Sequence, residues 1–530
     1  MQVKTRREFL KKVGFTTAAL GGISLKPEAL LGRSGGAKPP NILFMMCDQL
    51  NAGALSCYGG PVPTPNIDRI ARQGVRFTQA TCATPYCSPT RASIVTGMYP
   101  HAHGIVLNVN PRRQQGIDPA DTTTEKLLNR AGYETHHYGK WHLEGDDLPY
   151  YPDMFRSGVE YKRKMDPFFT EVRNRDRAGW MDWYAWALPV DIAPAYREQV
   201  ESIGDRWDKR VYADFITKMG RLKMPVEQCF DVQVADRACD RLKALANHAD
   251  PFMITCSFVW PHDPNVVPSP YYEAFDPDQL DLPENRHVRE ELFEKDWARE
   301  IIAALGEPGL REFLRVYYGM VKLIDDQVGR ILRTLDETGR ADNTVVVFTA
   351  DHGDMMGGHG MVWKSTRAFY DEVVRVPLVI SYPGKFKPRV SERAVDSTDL
   401  MPTLLELASH RIPEQAQGKS LVRHLKGRAE PGQARQYTFS ERVRPNPKGQ
   451  RKVLPGTKGD FMVRGKGWKY IRYSNRQEYL YNLREDPGET VNLIGDPKSQ
   501  SIRRELEAEM DKWWDRTGWT GHRSTKRKAT

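Results

Sequence analysis

Asn41-Ile42-Leu43-Phe44-Met45-Met46, running into Cys47-Asp48-Gln49, is the stretch on which the architecture turns. Its apolar residues are continuous over strand length and do not alternate with polar ones. That is the pattern of a strand buried on both faces, as in a parallel sheet. A carboxylate stands directly beyond its end. Thr344-Val-Val-Val-Phe-Thr349 repeats the pattern and leads into Ala350-Asp351-His352-Gly353-Asp354. Further strands are expected at 133–138, 252–258 and 377–381, with helices at 65–72, 123–130, 311–338 and 399–408. Thr64 is placed to cap the first helix, with Pro65 in its first turn. Buried strands alternating with amphipathic helices predict an α/β fold, a large mixed but mainly parallel sheet flanked by helices. Acids at the carboxyl ends of two such strands converge on the edge where open α/β sheets bind ligands.

Outward from this core the texture changes twice. Residues 148–226 are rich in Trp, Tyr, Asp and Pro with little clean period, and are expected to form a long excursion over the sheet that shapes a pocket. From about 413 the chain is polar and rich in Gly and Pro. A hairpin is then expected at 461–474 around Gly465-Lys466-Gly467, and a closing helix at 499–514 with Ile502, Leu506, Met510 and Trp513 or Trp514 on one face. The expected organisation is a leader and linker (1–37), a catalytic α/β domain (38–412), a small C-terminal antiparallel sheet plus helix (413–520) and a basic tail (521–530).

Of 530 residues, 40% are hydrophobic and 28% charged, which excludes a disordered or fibrous chain. Nine of the ten excess positive charges lie at the ends, five net in 1–37 and four after Thr520. The near-neutral body lacks the basic stripe that nucleic acid requires, so no nucleic-acid partner is expected. No apolar run approaches the roughly 18–20 residues of a membrane span, so no integral membrane segment is expected. Thr5-Arg6-Arg7-Glu8-Phe9-Leu10-Lys11, followed by the mildly apolar 13–25, resembles a twin-arginine export signal. That resemblance implies the twin-arginine machinery as a partner and the periplasm or the cell exterior as the destination. Seven irregularly spaced cysteines make neither a disulfide scaffold nor a structural zinc site.

Cys87-Ser88-Pro89-Thr90-Arg91, continuing to Thr96-Gly97, carries the chemistry. Ser88 is placed to N-cap a helix beginning at Pro89. That sets Cys87 just outside a helix N-terminus, where free N–H groups favour an anion. Arg91, in the first turn, can offer a bidentate fork to an oxyanion. The spacing Cys87-x-Pro89-x-Arg91 with Thr96-Gly97 resembles the signature of the sulfatases, in which the cysteine becomes formylglycine. Gly132-Tyr133-Glu134-Thr135-His136-His137-Tyr138-Gly139-Lys140-Trp141-His142 resembles their second signature, departing at Tyr138. The likeness runs from about Asn41 to Leu493, some 85% of the chain.

The resemblance implies an alkaline phosphatase-like fold and hydrolysis of sulfate esters, most readily those of a sulfated carbohydrate. It implies a formylglycine-generating maturation enzyme as a partner. It also implies one calcium ion, held by Asp48, Gln49, Asp351, His352 and an oxygen of the modified Cys87. Gln49 replaces a usual acid, which removes a charge from the site. Imidazole is soft for calcium, which leaves manganese as second choice. By the same resemblance Arg91, Lys140 and Lys364 hold the sulfate, His262 protonates the leaving alcohol and His142 is the base that later ejects sulfate. His136, His137 and His103 are read as structural residues, and a substrate contact is left open for His101. Gln49 also motivates an alternative, a phosphonate or phosphodiester hydrolase on the same scaffold. A catalytically silent glycan-binding relative is a third reading, disfavoured by the intact Cys87, Arg91, Lys140, His142, His262 and Asp351.

Overall fold

In the computed structural model, residues 38–109, 114–117, 120–143, 190–192, 219–293, 297–365, 367–429 and 435–520 are described. The leader at 1–37, the tail at 521–530 and most of the excursion at 148–226 lie outside them.

The continuous apolar run becomes β1 (Asn41–Asp48), in which every residue is buried. It is flanked by two equally apolar strands, β6 (Phe252–Pro261) and β8 (Thr344–Ala350), both parallel to it. β3 (Glu134–Gly139) extends the parallel set beyond β6. The seven-stranded sheet has the order β10-β2-β9-β8-β1-β6-β3. The strand expected at 377–381 is β9 (Leu378–Ser381), antiparallel to both neighbours, and it makes the sheet mixed. Beyond it, β2 (Gly74–Thr81) and β10 (Arg389–Asp396) pair in parallel. Neither was anticipated, because both mix polar residues, half-buried in β2 and partly exposed in the edge strand β10, into short apolar pieces. β4 (Val190–Ile192), β5 (Gly220–Leu222) and β7 (Val266–Pro268) form a small separate sheet.

Helices flank this sheet: α1 (Pro65–Gln73), α2 (Cys87–Thr96), α3 (Thr124–Arg130), α4 (Phe230–Ala244), α5 (Trp297–Glu337) and α6 (Leu400–Leu407). α5 starts well before the expected 311 and is interrupted at Gly306, whose φ of 66° breaks the helical path next to Pro308. The cap of α1 is tertiary. Thr64 turns its hydroxyl to Ser56 and Asp68, and the free amides of Asn66 and Ile67 donate instead to Asp325 of α5, at 3.1 and 2.8 Å. Among the described residues no helix is long and apolar enough to cross a membrane.

The C-terminal region is a four-stranded antiparallel sheet, β11 (Tyr437–Val443), β12 (Gly459–Gly465), β13 (Trp468–Arg472) and β14 (Glu478–Asn482), closed by α7 (Gln500–Thr517). Lys466 and Gly467 join β12 to β13 with φ of 55° and 82°. Two positive φ values in a two-residue loop match the right-handed strand twist, and a glycine makes one of them easy. α7 sets Trp513 into an aromatic nest: stacked on Phe439 at 4.8 Å, edge-on to Tyr99 at 5.0 Å, and against His101 at 5.6 Å. Trp513 is 1% exposed. Trp513→Ala is therefore expected to lower unfolding stability by about 3–5 kcal/mol, measured from the denaturant midpoint.

Candidate active site

Two strand ends and one helix start meet here. β1 ends at Asp48 and β8 runs into Asp351-His352, while Cys87 opens α2. Ser88 does not cap α2: its hydroxyl donates to the carbonyl of His142 at 2.6 Å. The helix instead begins at Cys87 after Tyr86, whose side chain makes no capping bond. The loop after β3 has taken the hydroxyl and tied His142 to the residue beside Cys87.

One ligand atom each from Asp48, Cys87, Asp351 and His352 lies within 4.8 Å of the others, and all four residues are buried. The His352 Nδ1 faces the Gly353 carbonyl at 2.9 Å, which fixes the proton there and leaves the Nε2 lone pair directed at Cys87 Sγ, 3.3 Å away. Two carboxylates, one oriented imidazole and the residue-87 position make a donor set that fits a divalent cation.

Arg91 holds this set rather than standing free. Its Nη2 donates to Asp48 at 2.9 Å and its Nε to Asp351 at 2.8 Å. Nη1 donates to the Lys140 carbonyl and to Ser257 Oγ, both at 2.8 Å. The fork expected for an oxyanion is thus committed to the two carboxylates. Lys140 Nζ reaches Asp48 at 2.6 Å. Burial resists the charge on Asp48, but the Lys140 ammonium and the Arg91 guanidinium beside it help hold the carboxyl well below its ordinary range. The Cys87 thiol is pushed up to about 11 by burial and by Asp48.

On the other side, Lys364 Nζ donates to Gln49 Oε1 at 2.7 Å and lies 3.0 Å from His262 Nε2. Gln49 Nε2 donates to Asp354 at 2.8 Å, so both ends of this amide are engaged away from the four-residue cluster. The His262 Nδ1 faces the Asp263 carbonyl at 2.7 Å, leaving Nε2 to accept from Lys364. Burial, then Lys364 and Lys140, depress His262 far below the ordinary histidine value. Burial works against the charge of Lys364 too, yet Cys87, Asp48 and Asp263 raise its pKa. His142 is depressed by burial and by Lys140 and Arg91. Both imidazoles are therefore neutral at pH 7, and the proton between Lys364 and His262 resides on the lysine.

Every residue assigned from sequence lies in or against this site. Sequence reasoning missed the anchors: Ser257, Asp354, and Asp263 beside His262. Asp354 stood in the quoted Asp-His-Gly-Asp run, and only its position relative to Gln49 reveals a task. His137 is buried in β3 with Nε2 3.2 Å from the Lys140 carbonyl. His101 is not open to substrate: Glu441 takes its Nδ1 at 2.7 Å, and Trp513 and Trp519 cover it.

With this geometry in place, comparison with known proteins is direct. The sulfatase family model matches residues 40–410. The chain belongs to the sulfatase family. A second model, N-sulphoglucosamine sulphohydrolase, C-terminal, matches 357–515. The ulvan-active sulfatase of Formosa agariphila is 27% identical over 490 residues, covering 89% of this chain and 80% of that protein. A solved 2-O GAG sulfatase superposes with a TM-score of 0.69 at 25% identity, covering 92% and 94% of the two chains. The phosphonate monoester hydrolase of Silicibacter pomeroyi superposes with a TM-score of 0.70 at 24% identity, covering 90% and 96%, a likeness of fold. This sulfatase is a sulfuric ester hydrolase, with the seven-stranded mixed sheet and the separate antiparallel sheet of that architecture.

Proposed function

We propose that this sulfatase removes sulfate from a sulfated carbohydrate, using formylglycine at position 87 and one divalent cation, calcium before manganese. Asp48, Asp351, His352 and an oxygen of residue 87 would hold the cation, which supplies Lewis acidity and charge neutralisation there. Gln49, expected among the ligands, is assigned to Lys364, whose position it holds. The observation that carries the reading is the meeting of four buried donor groups with Lys140, Lys364 and His262 around one point.

Formylglycine supplies, as its hydrate, the nucleophile and the second hydroxyl that permits turnover. The chain's own residues do the rest. Arg91 fixes Asp48 and Asp351, and the Lys140 and Lys364 ammonium groups neutralise the ester's oxygens as charge shifts toward the leaving group. His262 is the general acid in concert with Lys364: the Nζ proton passes to the leaving oxygen directly or through Nε2. Neutral His142 accepts a proton in the step that releases sulfate. The maturation enzyme acts on Cys87, and residues 1–37 direct export by the twin-arginine route to the periplasm or beyond.

The deciding test uses protein made with a formylglycine-generating enzyme. Mass analysis of the tryptic peptide 77–91 should show an aldehyde at position 87 and a thiol at Cys82. Ion chromatography should then show sulfate release from sulfated oligosaccharides. If the aldehyde form cleaves phosphonate monoesters faster than any sulfate ester, the alternative substrate class replaces this one. If it cleaves neither, the silent glycan-binding reading stands.

A further inference from the structure

We propose that Arg442 and Arg367 form a second oxyanion subsite beside the catalytic pocket, receiving a carboxylate or a further sulfate on the sugar that carries the ester. The inference rests on the sulfated-carbohydrate reading and sharpens it to a multiply anionic substrate.

The placement comes from β11. The amide of Glu441 donates to the carbonyl of Ala83 at 2.9 Å, so this strand lies along the segment that enters Cys87 four residues later. Successive strand residues face opposite ways. Glu441 turns to His101 and Arg442 turns the other way; the charge of Asp460 acts on it most strongly, followed by those of Arg444, Tyr86 and Arg367. Tyr86 acts on Lys364 in the same way. Arg367 follows Lys364 by three residues, and its carbonyl is pinned by the Tyr473 hydroxyl at 3.0 Å. The two arginines thus stand on the flank of the site that handles the leaving oxygen.

Neither guanidinium is satisfied. Arg442 Nη1 and Arg367 Nε are buried without a hydrogen-bond partner among the described residues. The acid opposite Arg442 in the strand register is Asp460, whose carboxylate accepts from the Ser474 amide at 2.8 Å. Among the described residues no carboxylate lies within ion-pair distance of Arg442 or Arg367. By contrast, Arg464 bridges Asp371 and Gln79, and Arg91 spends four bonds. A buried N–H left unpaired is costly unless an acceptor arrives. Arginine's planar fork suits the paired oxygens of carboxylate or sulfate.

The test compares the wild-type mature chain with Arg442→Gln and Arg367→Gln on three esters. These are 4-nitrophenyl sulfate, a monosulfated oligosaccharide containing a uronate, and a disulfated oligosaccharide without one. The variants should retain wild-type kcat/KM on 4-nitrophenyl sulfate and lose about tenfold to hundredfold on a glycan bearing the second anion, the scale of one charge-assisted hydrogen bond. Which of the two glycans suffers identifies the anion as carboxylate or sulfate. Arg442→Lys, retaining charge without the fork, should fall between. Unchanged kcat/KM on both glycans, or an equal loss on 4-nitrophenyl sulfate, overturns the subsite. Calorimetric titration of the same oligosaccharides reads the subsite even if the wild type cleaves none of them, a result that would sink the substrate reading instead. In that case binding that both variants leave unchanged also overturns the subsite.

Discussion

Replacing Cys87 with alanine lowers turnover of any sulfate ester by a factor on the order of a million, the scale of losing a covalent nucleophile. The fold should survive, because the thiol's contacts are weak sulfur contacts, to Asp48 at 3.6 Å and His352 at 3.3 Å. Protein in which Cys87 escapes modification should be equally inactive for a separate reason. With the thiol pushed up to about 11, almost no thiolate exists at neutral pH. Cys87→Ser behaves differently: a serine oxygen has no second hydroxyl through which to expel sulfate. A single burst of product should be followed by arrest, with the mass of one sulfuryl group retained on the peptide 77–91. Stopped assays for the burst and intact-mass spectrometry check both statements. Steady turnover by the serine variant would remove the case for a hydrate.

Asp351→Asn should be the next most damaging change, acting on two quantities at once. One formal charge leaves the four-residue cluster, so divalent-cation affinity should fall by more than the roughly 10- to 100-fold typical of second-shell changes. Sulfate release should then require high calcium or manganese. Separately, Arg91 is 2% exposed and loses the full charge of one of its two acids. Breaking one side of a buried pair costs about 3–5 kcal/mol, so unfolding in chelator should move to lower urea. Calorimetric cation titration reads the first effect and urea titration the second. Unaltered affinity for both cations would place the metal elsewhere.

The strands that carry the site were legible because burial on both faces leaves little room for polar residues, and β1, β6 and β8 show it as predominantly apolar runs of strand length. The edge strand β10 and its neighbour β2 were not, since a less buried side mixes Arg76, Gln79, Glu392 and Arg393 into short apolar pieces that no period distinguishes from loop. Local capping logic failed twice for the same reason. Thr64 and Ser88 both have the right chemistry to cap, but other partners take their hydroxyls, Asp68 and Ser56 for Thr64 and the His142 carbonyl for Ser88. His101 shows the converse. Its proximity to the nucleophile helix suggested a substrate contact, and only the docking of Glu441 and Trp513 from the C-terminal sheet and helix reveals a buried structural ion pair.

The residues proposed for the catalytic set could be named from the sequence alone, because most of them stand just beyond a strand or in the first turns of a helix, in motifs whose spacing is local. Their relations could not. That Arg91 grips two carboxylates, that Gln49 serves Lys364, that His262 accepts a proton rather than holding one, and that Arg442 remains unpaired were decided by tertiary structure. Those properties depend on distance and burial between segments up to some 350 residues apart, and neither distance nor burial is written in any local spacing.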